Sequence, residues 1–433
     1  MNYPQSLDYL SRVREQGAKL ALENIQKIIN HLPFEISDIK FIQIAGTNGK
    51  GSTSHFITSI LQAADRRVGL FTSPHLQDIR ERITINKKWI SQQDFASALS
   101  AIQDLCTRLQ KRGIIDDPPT FFEHLFLASL HHFHRRAVDF AVFEVGLGGR
   151  LDATSTIVPE VSVITNISRD HTKTLGKTIR SIAFEKAGIV KPSVPVVCGC
   201  SPRSISREVI KQVARDRGAL FVDVVSNRRN ELTVEEVNNH YRCFYKTPSS
   251  SYRFDVRLHG KHQAINACTA IRAVEILKSG GIDIPHSAIL AGIKNNFIPG
   301  RIEFLNTSPE VILDGGHNVE SIRALSEFLS QKGLKNLTLI FGVLRDKNYK
   351  RMIKILLPFI KRVIITEPVS TRAHPADRLV RYFQPKPVQV KKDLQEAFAA
   401  AQGCNGNILI TGSLYLVGAM RNIILGGEKH GIN

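Results

Sequence analysis

An α/β fold in two domains is predicted. The first domain reads as a phosphate-loop-type, mostly parallel sheet, and the second as a smaller Rossmann-like α/β unit. Three observations carry this. Short apolar runs alternate with helical patterns along most of the chain. The Gly-rich stretch AGTNGKGST (45–53) directly follows the first of those runs. A Pro-Gly pair at 299–300 interrupts the alternation, which then restarts. The boundary is accordingly set between residues 1–298 and 299–433.

The elements follow in order. Strand-like runs stand at 41–45, 68–71 (VGLF), 139–145 (DFAVFEV), 161–165 (VSVIT) and 194–198 (VPVVC). Helical patterns lie between them, at 51–64, 93–112, 121–134 and 176–187. Near-continuous apolar strands separated by helices imply a parallel sheet covered on both faces. Residues 219–260 differ: HYRCFYK and YRFDVRLHG are polar and strand-like, which suggests an antiparallel appendage. A helix over 262–279 follows. Beyond the boundary, strands are expected at 310–314, 336–342, 362–366, 387–390 and 407–411, each followed by a helix.

Composition excludes several classes. The chain has 433 residues, of which 42% are hydrophobic, enough for sizeable cores and too many for global disorder. No apolar stretch approaches the ~20 residues of a membrane span. The N-terminus MNYPQSLDYLSRVREQG has no apolar segment of the signal-peptide kind. Cysteines 106, 198, 200, 243, 268 and 404 lack zinc-type spacing, which fits a reduced, cytoplasmic setting. The net charge of +19 is dispersed, and the clusters HFHRR (132–136) and NRR (227–229) are short. An anionic small-molecule substrate is the expectation, with no nucleic acid and no membrane as partner.

The opening loop departs from G-x-x-x-x-G-K-[ST]. Ile44 stands where the first Gly belongs, and Gly51 separates Lys50 from the hydroxyls of Ser52 and Thr53. Its context nevertheless suits phosphate. Glycines turn backbone N–H groups inward, and the helix N-terminus adds partial positive charge. Lys50 reaches the outer phosphates, and Ser52 or Thr53 caps the helix and faces phosphate or magnesium. A plain Gly-rich turn would have no use for a lysine between glycines.

Phosphoryl transfer needs magnesium and therefore oxygen ligands nearby. FAVFEVGLGGRLDATS (140–155) supplies Glu144 at the carboxyl end of an apolar strand, where α/β sheets bind ligands. TNISRDHTKTLG (165–176) places Asp170 and His171 at the same edge, although such a pair is more often structural. SIAFEKAGIVK (181–191) puts Lys186 near a helix end, where an ordinary surface lysine would also serve. In the second domain, VILDGGHNVESI (311–322) sets Asp314 and His317 around a turn, with helix capping as the plain alternative. FGVLRDKN (341–348) and ITGSLYLVG (410–418) are similar edge turns. Together they suggest that the second domain faces the first across a cleft.

Taken in order, IAGTNGKGST, GLFTSPHL, RERI, PTFFEHL, FEVGLGGRLDATS, RDHTKTLGKTIRSIAFEKAGIVK, GKHQAINA, PGRIEF and LDGGHN resemble the folylpolyglutamate synthase/dihydrofolate synthase family of the Mur ligase superfamily. The altered loop spacing is the one this family uses. The resemblance implies an ATP-dependent ligase that adds L-glutamate to dihydropteroate, to folates, or to both, through an acyl phosphate. It further implies ATP, two magnesium ions, a carbamylated Lys186 and a monomer.

By the same resemblance, Gly46, Thr47, Asn48, Gly49, Lys50, Gly51 and Ser52 hold the nucleotide, with Asn266, Arg301 and Asp314. Ser73, Glu144 and His171 are the implied magnesium ligands, and Ser73 also borders the substrate. Lys50, Lys186 and His317 carry the chemistry, His317 beside the incoming glutamate or the acyl phosphate. Thr120, Phe121, Phe122 and Asp152 correspond to the pterin region, where an aromatic pair sandwiches a flat ring and Asp accepts from ring N–H groups. Helix core is the plain alternative for the two phenylalanines. Three departures stand out: Ser155 for the usual Asn, Arg169 for a smaller or apolar residue, and Gly316 for Ala. Arg169 and Ser155 bear on the split between the two activities.

Two competing readings are weaker. A Mur-type cell-wall ligase would use a UDP-sugar peptide, and no nucleotide-sugar domain precedes the loop at 46. A basic nucleic-acid-stimulated ATPase would carry basic runs interleaved with aromatics, and none is found.

Overall fold

The structure is a computed structural model that describes residues 1–15, 22–226, 231–237 and 240–426. The cluster at 227–229 and the end of the chain after 426 lie outside the described residues.

The first sheet is built from continuous apolar runs. Its elements are α1 (Tyr3–Glu15), α2 (Glu23–Ile29), β1 (Lys40–Ala45), α3 (Lys50–Ala63), β2 (Val68–Phe71), β3 (Ile83–Ile85) and β4 (Lys88–Trp89). There follow α4 (Gln92–Lys111), α5 (Phe121–Arg135), β5 (Phe140–Glu144), β6 (Val161–Ile164), α6 (Thr172–Leu175), α7 (Ile179–Ala187), β7 (Val196–Cys198), α8 (Ile205–Asp216) and β8 (Phe221–Asp223). The strand order is β4-β3-β2-β5-β1-β6-β7-β8. From β2 to β8 neighbours run parallel, and β3 and β4 add antiparallel at one edge. β1, β2, β5 and β6 are buried almost throughout, as helices on both faces require.

A three-stranded antiparallel ribbon follows: β9 (Glu231–Val237), β10 (His240–Lys246) and β11 (Ser251–Val256), in the order β11-β10-β9. The expected appendage is therefore present, with two differences. Residues 221–223 leave it and pair with β7, because Val222 has a buried place at the sheet edge. The ribbon is also not detached. Its alternate residues Tyr241, Cys243 and Tyr245 enter the same core as Ile57, Val142 and Ile271. Two helices complete this domain, α9 (His262–Ser279) and α10 (His286–Lys294). Gly292 of α10 lies against the Ile60 and Ser59 backbone of α3, so a side chain there would force the two helices apart. A second core on the other face joins α4 and α5 to the sheet through Phe95, Phe126 and Phe143.

The second sheet contains β12 (Glu303–Leu305), β13 (Val311–Asp314), α11 (Val319–Gln331), β14 (Leu337–Phe341), α12 (Tyr349–Leu356), β15 (Ile360–Ile365), β16 (Val388–Val390), α13 (Leu394–Gln402), β17 (Ile408–Thr411) and α14 (Leu414–Leu425). Its order is β12-β13-β17-β14-β15-β16, parallel except for β12. The α/β class and the pair of mostly parallel sheets agree with the sequence expectation. β15 departs in one detail: a 3₁₀ segment (Ala376–Tyr382), not an α-helix, leads from it to β16. The carboxyl ends of β1, β5 and β6 face those of β13, β14 and β17, and α/β sheets bind ligands at such ends.

Candidate active site

The turn after β1 is held open by its neighbours. Thr47 N–H donates to the Asn166 carbonyl at 2.8 Å, and Asn48 N–H donates to Asn166 Oδ1 at 2.8 Å. The Thr165 hydroxyl donates to the Asn48 carbonyl at 2.7 Å. The residues after β6 thus brace the loop from behind. Gly49 has φ +83°, the left-handed region, and a side chain there would strike the Asn266 amide. Asn266 is therefore beside the loop, but it is buried and its Nδ2 donates to Gln263 Oε1 at 2.9 Å. Ser52 lines the cavity over the loop. Thr53, the other candidate, is fully buried in α3, and its hydroxyl finds no hydrogen-bond partner among the described residues.

Two lysines meet this loop. Lys50 Nζ lies 3.9 Å from Glu144 Oε1. Lys186, near the end of α7, is buried rather than solvated, and its Nζ donates to the Gly46 carbonyl at 2.7 Å. Burial, and then the charge of Lys50, pushes the Lys186 amine down to about 7. Glu144 is buried, and burial pushes its carboxyl up against the pull of Lys50, the Ser73 N–H and Arg301. Ser73 N–H donates to Glu144 Oε2 at 3.2 Å.

These groups fit magnesium. A Cβ on Gly51 would stand 3.5 Å from Glu144 Oε2, so the carboxylate looks straight at the loop. Ser52, Ser73 and His171 line the same cavity. No group of three or more His, Cys, Asp or Glu suited to a metal is gathered among the described residues. Magnesium takes only one or two protein carboxylates, and Glu144 supplies one.

The second domain supplies the opposite wall. Asp314, at the end of β13, accepts from the N–H of Gly316 at 2.9 Å and of Ile302 at 3.2 Å. Burial pushes its carboxyl up to about 6 despite Arg301. His317 Nδ1 lies 3.0 Å from the Gly315 carbonyl. A carbonyl only accepts, so Nδ1 carries the proton and Nε2 is bare. Burial, then Lys347, pushes the imidazole down to about 4.

The two walls are tied together directly. Asn48 and Asn318 pair their amides, with Asn318 Nδ2 donating to Asn48 Oδ1 at 2.9 Å. Lys347 Nζ donates to Asp170 Oδ1 at 2.7 Å, and Asn318 Nδ2 donates to Asp170 Oδ2 at 3.2 Å. Burial pushes the Asp170 carboxyl up, but Lys347 above all, with His171 and His317, holds it well below the usual range. His171 has φ +49°, and burial and the nearby lysines lower its pKa.

Two cavities share a wall here. One, of about 470 Å³, holds the loop, Lys50, Glu144, Lys186, Arg301 and Asp314. The other, of about 330 Å³, is lined by Thr120, Phe122, Leu151, Asp152 and Tyr415. Ser73, Gly146, His171 and His317 belong to both. Phe121 does not face the second cavity; its ring lies under the Arg82 guanidinium, 5.3 Å away. Asp152 faces it but is already engaged. Its oxygens accept from the N–H groups of Gly146, Leu147 and Thr154 and from the Thr154 hydroxyl. Thr120 caps α5 with a reciprocal Glu123.

Similarity to known proteins follows this geometry. The Mur ligase middle domain family matches residues 44–274, and the Mur ligase, glutamate ligase domain family matches residues 300–414. A Bacillus subtilis dihydrofolate synthase/folylpolyglutamate synthase is 33% identical over 94% of this chain and 95% of its own length. The chain belongs to the folylpolyglutamate synthase/dihydrofolate synthase family of Mur ligases. Among solved members of that family, the Mycobacterium tuberculosis folylpolyglutamate synthase complexed with ADP and AMPPCP superposes with a TM-score of 0.89 at 28% identity, over 99% of this chain and 100% of that one. The Escherichia coli FolC in complex with DHPP and ADP gives 0.86 at 26% identity, over 98% of both chains. A probable bifunctional folylpolyglutamate synthase/dihydropteroate synthase of Haloferax volcanii is 33% identical over 97% of this chain but only 50% of its own length. The chain thus spans about half of that larger relative.

Sequence reasoning missed the cross-domain contacts. Asn318 lies in the stretch 311–322, where helix capping is the plain alternative, and Lys347 lies in the edge turn 341–348. Arg82 and Leu414, which line the site, lie inside stretches singled out for other reasons.

Proposed function

We propose that the chain is an ATP-dependent ligase that joins L-glutamate to dihydropteroate or to a folate by an amide bond. The observation that carries this is the shared wall: a phosphate-suited cavity and a ring-sized, partly apolar cavity meet at Ser73, Gly146, His171 and His317. The Bacillus subtilis relative bears both activities in its name, and E. coli FolC was captured with DHPP and ADP.

The chemistry follows from the residues. The ATP phosphates occupy the turn after β1, with Lys50 and the Arg301 fork offsetting their charge. Glu144, Ser73 and His171 would hold magnesium, which, when bound, neutralises charge between the outer phosphates. Phe122 stacks on the flat ring of the acceptor and directs its carboxylate towards the shared wall. A carboxylate oxygen bonds to the γ-phosphorus as the bond to ADP breaks. The glutamate nitrogen then bonds to the acyl carbon, the bond to phosphate breaks, and the proton lost by the nitrogen leaves with the departing phosphate.

His317 Nε2 is unprotonated at neutral pH and accepts a hydrogen bond from the incoming amine. With so low a pKa it orients that amine and does not store its proton. Lys186 is suited to carbamylation, since carbon dioxide adds only to a neutral amine and burial gives this one a large neutral fraction near pH 7. The product keeps an N–H for the Gly46 carbonyl and gains an anion beside the metal site. Asn266 and Asp314 flank the nucleotide. The same reading takes the chain to act as a cytoplasmic monomer.

The test offers dihydropteroate and tetrahydrofolate separately with ATP and L-glutamate and reads product mass. A gain of one glutamyl residue on either acceptor is expected. ATP turnover that depends on neither glutamate nor pterin overturns the reading.

A further inference from the structure

A third cavity, of about 430 Å³, adjoins the two already described. It shares Gly51, Ser73, Pro74, Glu144, Arg301 and Leu414 with the nucleotide cavity. Four of these, Gly51, Ser73, Glu144 and Arg301, are the groups the ligase reading sets around the outer phosphates and the metal. With the ring cavity it shares only Ser73, Pro74 and Leu414. Much of its remaining wall comes from residues that the ligase chemistry leaves unused. Thr84 belongs to β3, Lys87 to the hairpin turn and Trp89 to β4, while Asn296 and Phe297 follow α10.

Two polar groups in that wall are orphaned. Thr84 and Asn296 are each only 6% exposed. Among the described residues, Thr84 Oγ1 and Asn296 Nδ2 find no hydrogen-bond partner. A buried donor without a partner is destabilising, so two of them lining one cavity point to an occupant that accepts from both. The charged groups point the same way. Arg421 is taken up by Glu303 at 3.0 Å. The Glu81 oxygens accept from the N–H groups of Leu76, Gln77 and Asp78. Lys87 Nζ donates only to the Asn295 carbonyl, at 3.3 Å. Among the described residues, neither Lys87 nor Arg301 has a carboxylate within ion-pair distance. An ammonium, a guanidinium, a side-chain amide and a hydroxyl all donate, and a tetrahedral oxyanion accepts on every side.

We infer that this cavity receives the inorganic phosphate released when the acyl phosphate is consumed, with Lys87, Thr84 and Asn296 as its holding groups. The inference rests on the ligase reading and deepens it. At the moment of release the phosphate stands by Ser73, Glu144 and Arg301, with ADP in the nucleotide cavity and the new amide in the ring cavity. The third cavity opens at those same residues and gives the phosphate a place that neither other product occupies. Lys87, Trp89 and Phe297 are exposed and mark its mouth, so the phosphate leaves past an unpaired ammonium.

The experiment compares wild type with Lys87→Ala, Thr84→Val and the double variant. Inorganic phosphate is titrated by calorimetry into each protein saturated with ADP, and is then used as a product inhibitor of turnover. KM is measured for ATP, for L-glutamate and for the acceptor. Lys87 is exposed, and Thr84→Val keeps the shape of the side chain while removing an unpartnered hydroxyl, so the folds should survive, and circular dichroism checks this. The expected result is weaker phosphate binding and inhibition in the double variant by about tenfold, the equivalent of ~1.4 kcal/mol, with all three KM values unchanged. Groups with a purely structural role would not move phosphate affinity. Unaltered phosphate affinity in a folded double variant overturns the inference, as does a wild type that binds no phosphate beside ADP. A rise in KM for L-glutamate alone also overturns it, by giving the cavity to the amino acid. A wild-type protein that ligates no glutamate to any acceptor overturns the ligase reading instead.

Discussion

Asp170 and Lys347 meet at 2.7 Å across the domain boundary, with both side chains almost fully buried. The carboxylate belongs to the loop after β6 and the ammonium to the turn after β14, so the pair exists only when the two sheets face each other. Asp170→Asn leaves a buried ammonium with only the more distant Asp346, 3.8 Å away, as its charge partner. Breaking such a pair costs up to about 3 kcal/mol, less where the domains part and admit water. The expected result is a lower urea midpoint and a looser domain arrangement by small-angle scattering. The pH dependence has a definite sign. A depressed carboxyl contributes stability above its unfolded value near 3.8 and loses it as pH falls through the lower folded value. Wild type should therefore lose stability in acid more steeply than Asp170→Asn.

Lys50→Ala should remove turnover while leaving the fold intact. The side chain stands over the loop and packs into no core. A loss in kcat of roughly 100-fold or more is expected, as for removal of one charge-stabilising donor. Thermal melting should stay close to wild type, and wild-type-like rates would contradict the assigned role.

Lys186→Ala should be inactive, and short carboxylates added to the assay should restore part of the rate. Depletion of carbon dioxide should slow wild type and leave the variant unchanged. Stability carries an independent signature. Between about 7 and 10.5 the folded lysine is neutral while the unfolded one still holds its proton. The unfolded state then binds more protons, so stability rises with pH across this window. Urea midpoints of Lys186→Ala should lack that rise.

Phe122 and Gly146 form the floor of the ring cavity. A Cβ at Gly146 would lie 2.6 Å from the Phe122 ring. Gly146→Ala should therefore displace that ring and cost about 1–3 kcal/mol through overpacking. Phe122→Ala should raise KM for the pterin acceptor several-fold and leave KM for ATP unchanged. Equal changes in both would remove Phe122 from the acceptor site.

The central strands were legible because burial on both faces leaves nearly uninterrupted apolar runs, as in FAVFE (140–144) and VSVI (161–164). The hairpin of β3 and β4 was not, since its strands are only three and two residues long. Its signal is the two-residue turn Asn86-Lys87, where both φ values are positive. In the site, groups at a strand's carboxyl end, such as Glu144 and Asp314, were readable from topology alone. Contacts between residues 177 and 270 positions apart, Asp170 with Lys347 and Asn48 with Asn318, were not. They depend on how two separately folded sheets meet, which no local pattern encodes. Lys186 was readable by resemblance, whereas its burial under the Gly46 carbonyl was visible only in the structure.

Transfer of a heavy oxygen isotope tests the proposed acyl phosphate most directly. Dihydropteroate labelled in its carboxylate is turned over with unlabelled ATP and L-glutamate, and the released phosphate is weighed. Activation of the acid by phosphorylation should carry one labelled oxygen into phosphate for each amide formed. Amide product accompanied by wholly unlabelled phosphate would contradict it.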